Sequence, residues 1–144
     1  MSKRVDTASR VIHASSSTIY QSFETAHAME SWLPPQGMAG TMLEFAFREG
    51  GAYRLRLTYT EAQHTVRFVK LLPHQRIEQA VTFKSDDPAF AGEMRITWTL
   101  EPGQGATLVT VRCEDVPAGI RPEDHQAGLT STLNNLASFV EKQT

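Results

Sequence analysis

A single cysteine, Cys113, stands among 144 residues, so no intrachain disulfide can brace the fold, and a reducing cytoplasm is the expected location. Long apolar runs are missing too. No stretch reaches the length of a membrane span, and the opening "MSKRVDTASRVIHASS" lacks the apolar centre of a signal peptide. Charge of one sign does not accumulate: 14 Lys and Arg face 16 Asp and Glu, a net −2 that offers no basic field for nucleic acid. His13, His27, His64, His74 and His125 show no H-x-x-x-H spacing, so a metal is not expected. Nor is a cofactor. The glycines of "REGGAY" join two strands instead of opening a phosphate-cradling helix, and "GTMLE" and "SSSTIY" lack the setting of a serine nucleophile.

What is present is globular: 40% hydrophobic and 21% charged residues, without repeats or low-complexity tracts. The length suits one domain over 1–144. Residues 5–13 read as an opening strand. The serines of "ASSSTIYQSFET" offer an N-cap, Ile19, Tyr20 and Phe23 lie at helical spacing, and Thr25 can cap a second short helix, "AHAMESW", stopped by "LPPQG". The period then changes to two. "TMLEFAFREGGAYRLRLTYT" predicts a hairpin turning at Gly50–Gly51, followed by strands in "HTVRFVKLL", "RIEQAVTF", "EMRITWTLE" and "ATLVTVRCE". In "HTVRFVKLL", Lys70 shares a side with Val66 and Phe68, which predicts a bulge. From Pro122 a long helix carries Leu129, Leu133, Leu136 and Val140 on one stripe. The order β-α-α-β6-α gives an α+β fold in which a curved antiparallel sheet wraps a long C-terminal helix, a helix-grip arrangement.

The start of that helix, "GIRPEDHQAG" (119–128), holds two acids and a histidine. Proline suits a first helical turn, and Glu123 and Asp124 sit where the helix dipole favours negative charge, so helix-start chemistry accounts for both acids. His125 differs, because it precedes Leu129 and Leu133 by four and eight residues and so continues the buried stripe. It is either a histidine bonded to a loop carbonyl or a polar group at a pocket mouth, and it is the candidate catalytic residue. Gly128 beside it would allow a backbone or ligand to approach closely.

"WLPPQGMAG" (32–40), "REGGAYRLR" (48–56), "LLPHQRIEQAVTF" (71–83) and "GIRPEDHQAGLTSTLNNLASFVE" (119–141) occur in series. Together they resemble the family of activator of heat-shock-protein-90 ATPase homologues, in particular its C-terminal-domain-like bacterial members. That family lies within the START-like, birch-pollen-allergen-like and polyketide-cyclase-like (SRPBCC) superfamily. The resemblance implies a helix-grip fold with a cavity between sheet and terminal helix. The eukaryotic chaperone activators carry a further N-terminal domain without a counterpart in this chain, so chaperone ATPase activation is not the leading expectation.

Strand parity turns Phe45, Phe47, Tyr53, Leu55, Leu57, Tyr59, Phe68, Val81, Phe83, Met94, Ile96 and Trp98 towards the helix. Tyr53 and Tyr59 bring hydroxyls, and Gln79 shares the parity of Ile77 and Val81, where an unpartnered amide would be costly. An apolar enclosure with a few polar groups is the usual build of a small-molecule site. The expected ligand-binding set is therefore Trp32, Met38, Phe45, Phe47, Tyr53, Leu55, Leu57, Tyr59, Phe68, Gln79, Phe83, Met94, Ile96, Trp98, His125, Leu129 and Leu133. Trp32, Pro34, Pro35, Gly37 and Met38 would form a rigid loop and one wall of the entrance. The opposite face carries Arg48, Arg54, Arg56, Arg67, Arg95 and Arg112 among Glu44, Glu78, Glu93 and Glu101, as paired charges or as a surface for a protein partner. The leading expectation is binding of a small hydrophobic, lipid-like or aromatic molecule. The alternatives are a cyclase or aromatase-like enzyme in the same cavity and a co-chaperone for heat-shock protein 90.

Overall fold

The computed structural model describes residues 4–34, 39–57, 63–83, 87–90 and 92–142. Strand β1 (Val5–Ile12) leads into helices α1 (Ser16–Gln21) and α2 (Ala26–Trp32). Strands β2 (Gly40–Phe45), β3 (Ala52–Leu57), β4 (Gln63–Leu72), β5 (Arg76–Phe83), β6 (Glu93–Pro102) and β7 (Thr107–Glu114) follow, and helix α3 (Pro122–Glu141) ends the series. The strands form one curved antiparallel sheet in the order β1-β7-β6-β5-β4-β3-β2. Only β1 leaves the meander, crossing to pair with β7. The helix-grip expectation holds.

Local chemistry places the elements. Ser15 and Thr25 cap the two short helices, their side chains accepting from the amides of Thr18 and Ala28 at 3.1 Å each. Pro122 opens α3, with Glu123 and Asp124 in its first turn. Those acids are exposed and lie 3.3 Å and 3.9 Å from the Arg121 guanidinium. The helix-start reading of both therefore stands. Register shifts at Met42/Glu44 and at Phe68/Lys70 bend β2 and β4, the second where the parity of Lys70 predicted it.

The β2–β3 connection turns tightly through Gly50, whose φ is +81°. Gly51 matters for a different reason: a Cβ there would sit 2.3 Å from the Ala46 carbonyl oxygen. A Gly51→Ala variant should lose about 1–2 kcal/mol by forcing that backbone apart, measured as a lower urea midpoint with an unchanged slope.

Helix α3 is tied to β1 at three levels. His125 meets Asp6, Arg10 donates to the Asn134 side-chain oxygen, and the His13 amide donates to Glu141 Oε2 at 3.0 Å. The spacing agrees with the two geometries. Four strand residues and nine helical ones each cover about 13.5 Å, and three strand residues match seven helical ones at about 10 Å. The helix thus runs alongside β1, burying Leu133, Leu136, Ala137 and Val140.

Candidate functional site

Between the sheet and α3 lies a cavity of about 250 Å³. Its walls are Phe23, Met29, Trp32 and Leu33 from the helical segment, Tyr53 and Val66 from β3 and β4, and Gln79, Val81 and Phe83 from β5. Met94, Ile96 and Trp98 come from β6 and Val111 from β7, with Ile120, His125, Leu129 and Thr132 closing the α3 side.

Of the expected set, the cavity collects Trp32, Tyr53, Gln79, Phe83, Met94, Ile96, Trp98, His125 and Leu129. Met38 and Tyr59 lie outside the described residues, as does the side chain of Leu57. Phe45, Phe47, Leu55, Phe68 and Leu133 do not line it. Among the described aromatic residues Phe83 pairs with Phe90 at 6.2 Å, and the others in ring contact form two larger groups. Phe45, Phe47 and Tyr53 pack around Phe68 with ring centroids 5.0–6.4 Å from it. Together with Tyr20, 5.6 Å from Phe47, they form one ring group in which Phe45 and Phe47 are half-buried and Tyr53 also borders the cavity. Phe23, Trp32 and Trp98 form the second cluster, with centroids 4.9–5.9 Å apart, and this one walls the cavity. Parity identifies the inward face of each strand; it does not show where along that face the packing opens. Leu133 is buried in the core and does not line the cavity.

Trp32 is both core and wall. It is buried, its Nε1–H donates to the Ser22 carbonyl at 2.9 Å, and its ring borders the cavity. Gln79 is only 2% exposed, and its Oε1 accepts from Trp98 Nε1 at 3.3 Å. Because indole can only donate, that contact fixes which end of the amide is oxygen. The hydroxyl of Tyr53 stays protonated, burial pushing its pKa well above the ordinary tyrosine range. Burial, with the Asp6 charge adding to it, pushes the Cys113 thiol up to about 12, so this sulfur behaves as a small core side chain.

His125 has a partner that sequence reading did not supply. Its Nδ1 lies 2.6 Å from Asp6 Oδ2, with side-chain exposures of 14% and 12%. Arg4 holds the same carboxylate through Nε to Oδ1 at 3.2 Å and Nη2 to Oδ2 at 2.9 Å. Burial opposes ionisation of Asp6, but the hydrogen bonds and charges of Arg4 and His125 outweigh it, so its pKa falls below the ordinary carboxylate value. The carboxylate orients the imidazole, and the bonded histidine borders an apolar cavity. The expected role of Gly128 is corrected: its Cβ position has no heavy atom within 4 Å and the residue is exposed, so it faces solvent and admits nothing close. Its carbonyl instead accepts from Thr132 Oγ1 at 2.9 Å.

Residues missed by the sequence reading divide by cause. Thr132, seven after His125, was legible as part of the same helical stripe, Val66 and Val111 were legible from parity, and Val81 was turned towards the helix but left out of the ligand-binding set. Phe23, Met29, Leu33 and Ile120 enter from short helices and a loop whose placement no periodicity reports. Asp6 lies 119 residues from His125, and an acid in an edge strand carries no local sign of its partner.

Comparison with known proteins decides the family. The family model described as activator of Hsp90 ATPase homolog 1-like protein matches residues 13–141. The chain belongs to this family. Among solved structures, CV1439 of Chromobacterium violaceum shares 30% identity at a TM-score of 0.87, the match covering 95% of this chain and 96% of that one. A protein from Arthrobacter aurescens aligns at a TM-score of 0.81 with 16% identity, over 96% and 86% of the two chains. DynU16, from the dynemicin biosynthetic locus, aligns at 0.73 with 17% identity, over 97% of this chain and 48% of its own. These last two likenesses concern fold alone. No curated protein matches the chain significantly. The SRPBCC-type architecture is thus shared along with the family, and no helix among the described residues is long and apolar enough to cross a membrane.

On the outer sheet face three of the six arginines meet acids of their own sheet: Arg54–Glu44, Arg67–Glu93 and Arg112–Glu114, each at 3.5 Å. Such exposed pairs neutralise the face locally and are each worth about 0–1 kcal/mol.

Proposed function

We propose that this member of the activator of Hsp90 ATPase homolog 1-like family binds a small hydrophobic, aromatic or lipid-like molecule between the sheet and α3. The observation that carries the reading is the cavity of about 250 Å³, bordered by Trp32 and Trp98 and otherwise mostly aliphatic. Its size is just below the roughly 300 Å³ at which drug-sized sites begin, which favours a compact guest of one or two rings. Native mass spectrometry of freshly purified protein should show a co-purifying compound or, failing that, a panel of small aromatics should raise Tm and change tryptophan emission. A panel that leaves both quantities flat sinks the reading. The single buried thiol suits a cytoplasmic setting.

The Asp6–His125 contact favours one further reading, a cyclase or aromatase-like reaction in which His125 moves a proton inside the cavity. The occurrence of a similar fold in a protein of a biosynthetic locus makes a turnover assay worthwhile. Under that reading, His125→Ala abolishes product formation while ligand binding persists. The co-chaperone reading rests on the family's description, and three of the six outer arginines that would serve it, Arg54, Arg67 and Arg112, are engaged with neighbouring acids. An unchanged Hsp90 ATPase rate on addition of the protein would remove it.

A further inference from the structure

One straight row crosses the inner face of the sheet: Asp6 pairs with Cys113, Cys113 with Ile96, and Ile96 with Gln79. Its two ends are polar and its middle is not. At the β1 end, Asp6 carries the His125 imidazole, and at the β5 end stands Gln79, with both His125 and Gln79 bordering the cavity. The ends are three strand spacings apart, about 14 Å along the sheet, shortened by the reach of the two side chains.

The hydrogen-bonding capacity left at each end is fixed by the bond already made. In the neutral imidazole, Nδ1 faces the Asp6 carboxylate and carries the proton, so Nε2 offers a lone pair, and it has no partner among the described residues. At Gln79 the oxygen is taken by Trp98, so the amide N–H groups are what remains, and they too have no partner among the described residues. One end therefore accepts a hydrogen bond and the other donates one.

Resting on the binding reading above, we propose that the guest is a compact aromatic compound with a hydroxyl at one end and a carbonyl at the other. It lies along this row with its hydroxyl on His125 Nε2 and its carbonyl oxygen on the Gln79 amide. The apolar stretch between the anchors, where Ile96 borders the cavity, takes the ring system, and Asp6 acts as the positioning residue that keeps Nε2 turned to the guest.

The test uses three probes on the full chain at pH 8 by calorimetric titration: 6-acetyl-2-naphthol, its methyl ether, and 6-ethyl-2-naphthol. Losing either anchor's bond should weaken binding about five- to tenfold. In His125→Leu the preference for the hydroxyl over the methyl ether should vanish, while the preference for acetyl over ethyl persists. Equal affinity for all three probes on the unmodified protein overturns the two-anchor proposal and leaves the cavity reading standing. Absence of binding by all three overturns both. Persistence of the hydroxyl preference in His125→Leu overturns the assignment of that anchor, and the ligand comparisons remain decisive even if the variant folds poorly.

Discussion

Replacing Trp98 by alanine should destabilise the protein by about 3–5 kcal/mol, a large part of the 5–15 kcal/mol that holds a typical domain together. Trp98 is 5% exposed and packs edge-on against Phe23 and Trp32, with centroids 5.2 Å and 5.9 Å away. The cost has two parts. Deleting the indole enlarges an existing cavity, which neighbouring side chains held by the sheet cannot collapse to fill. It also removes the donor to Gln79 Oε1, leaving that buried carbonyl without a partner among the described residues. Trp98→Phe separates the parts, because it restores most of the ring and not the N–H. Its loss should be clearly smaller than that of the alanine variant in urea denaturation. Equal losses for the two variants would show that the hydrogen bond, not the packing, dominates.

The second large effect is expected at Asp6. Asp6→Asn should cost about 2–3 kcal/mol at neutral pH, since two charge-assisted contacts lose their anion. The pH dependence has a definite sign. The folded pKa of Asp6 lies below its ordinary value of 3.8, so the unfolded chain takes up the proton first as pH falls. Its stabilising contribution is complete above about pH 4 and disappears as pH drops through the lower folded value. The stability of the unmodified protein should therefore fall more steeply below pH 4 than that of Asp6→Asn, as measured by denaturant midpoints from pH 2 to 7. Parallel curves would show that the carboxylate gains nothing from Arg4 and His125. Because Asp6 lies on the inner face of an edge strand and reaches α3, its loss should also loosen the start of the helix, visible as faster amide exchange there.

These effects separate what is local in this protein from what is not. The capping of α1 and α2 by Ser15 and Thr25, the proline-led start of α3, and the bulge beside Lys70 follow from side chains and backbones within a few residues of one another. Period-two alternation also gave each strand its inward face, which is why Tyr53, Gln79, Met94, Ile96 and Trp98 could be named in advance as facing the helix. The same rule placed Phe45, Phe47 and Phe68 beside them, although those rings pack on one another and do not line the cavity. An empty volume is a property of how several surfaces fail to meet, and no single strand's pattern carries it.

The sequence by itself determined the order of elements, their boundaries at capped and proline-marked sites, the inward faces of the strands, and the family. The first three depend on short-range backbone preferences and on hydrophobic period, which any stretch of chain expresses alone, while the family rests on the resemblance of four segments in series. Only the tertiary structure decided that Asp6 meets His125, that Gln79 is oriented by Trp98, and which of the inward aromatic residues line the cavity. Those facts depend on sheet register and on where α3 comes to rest against β1, contacts made between segments far apart along the chain.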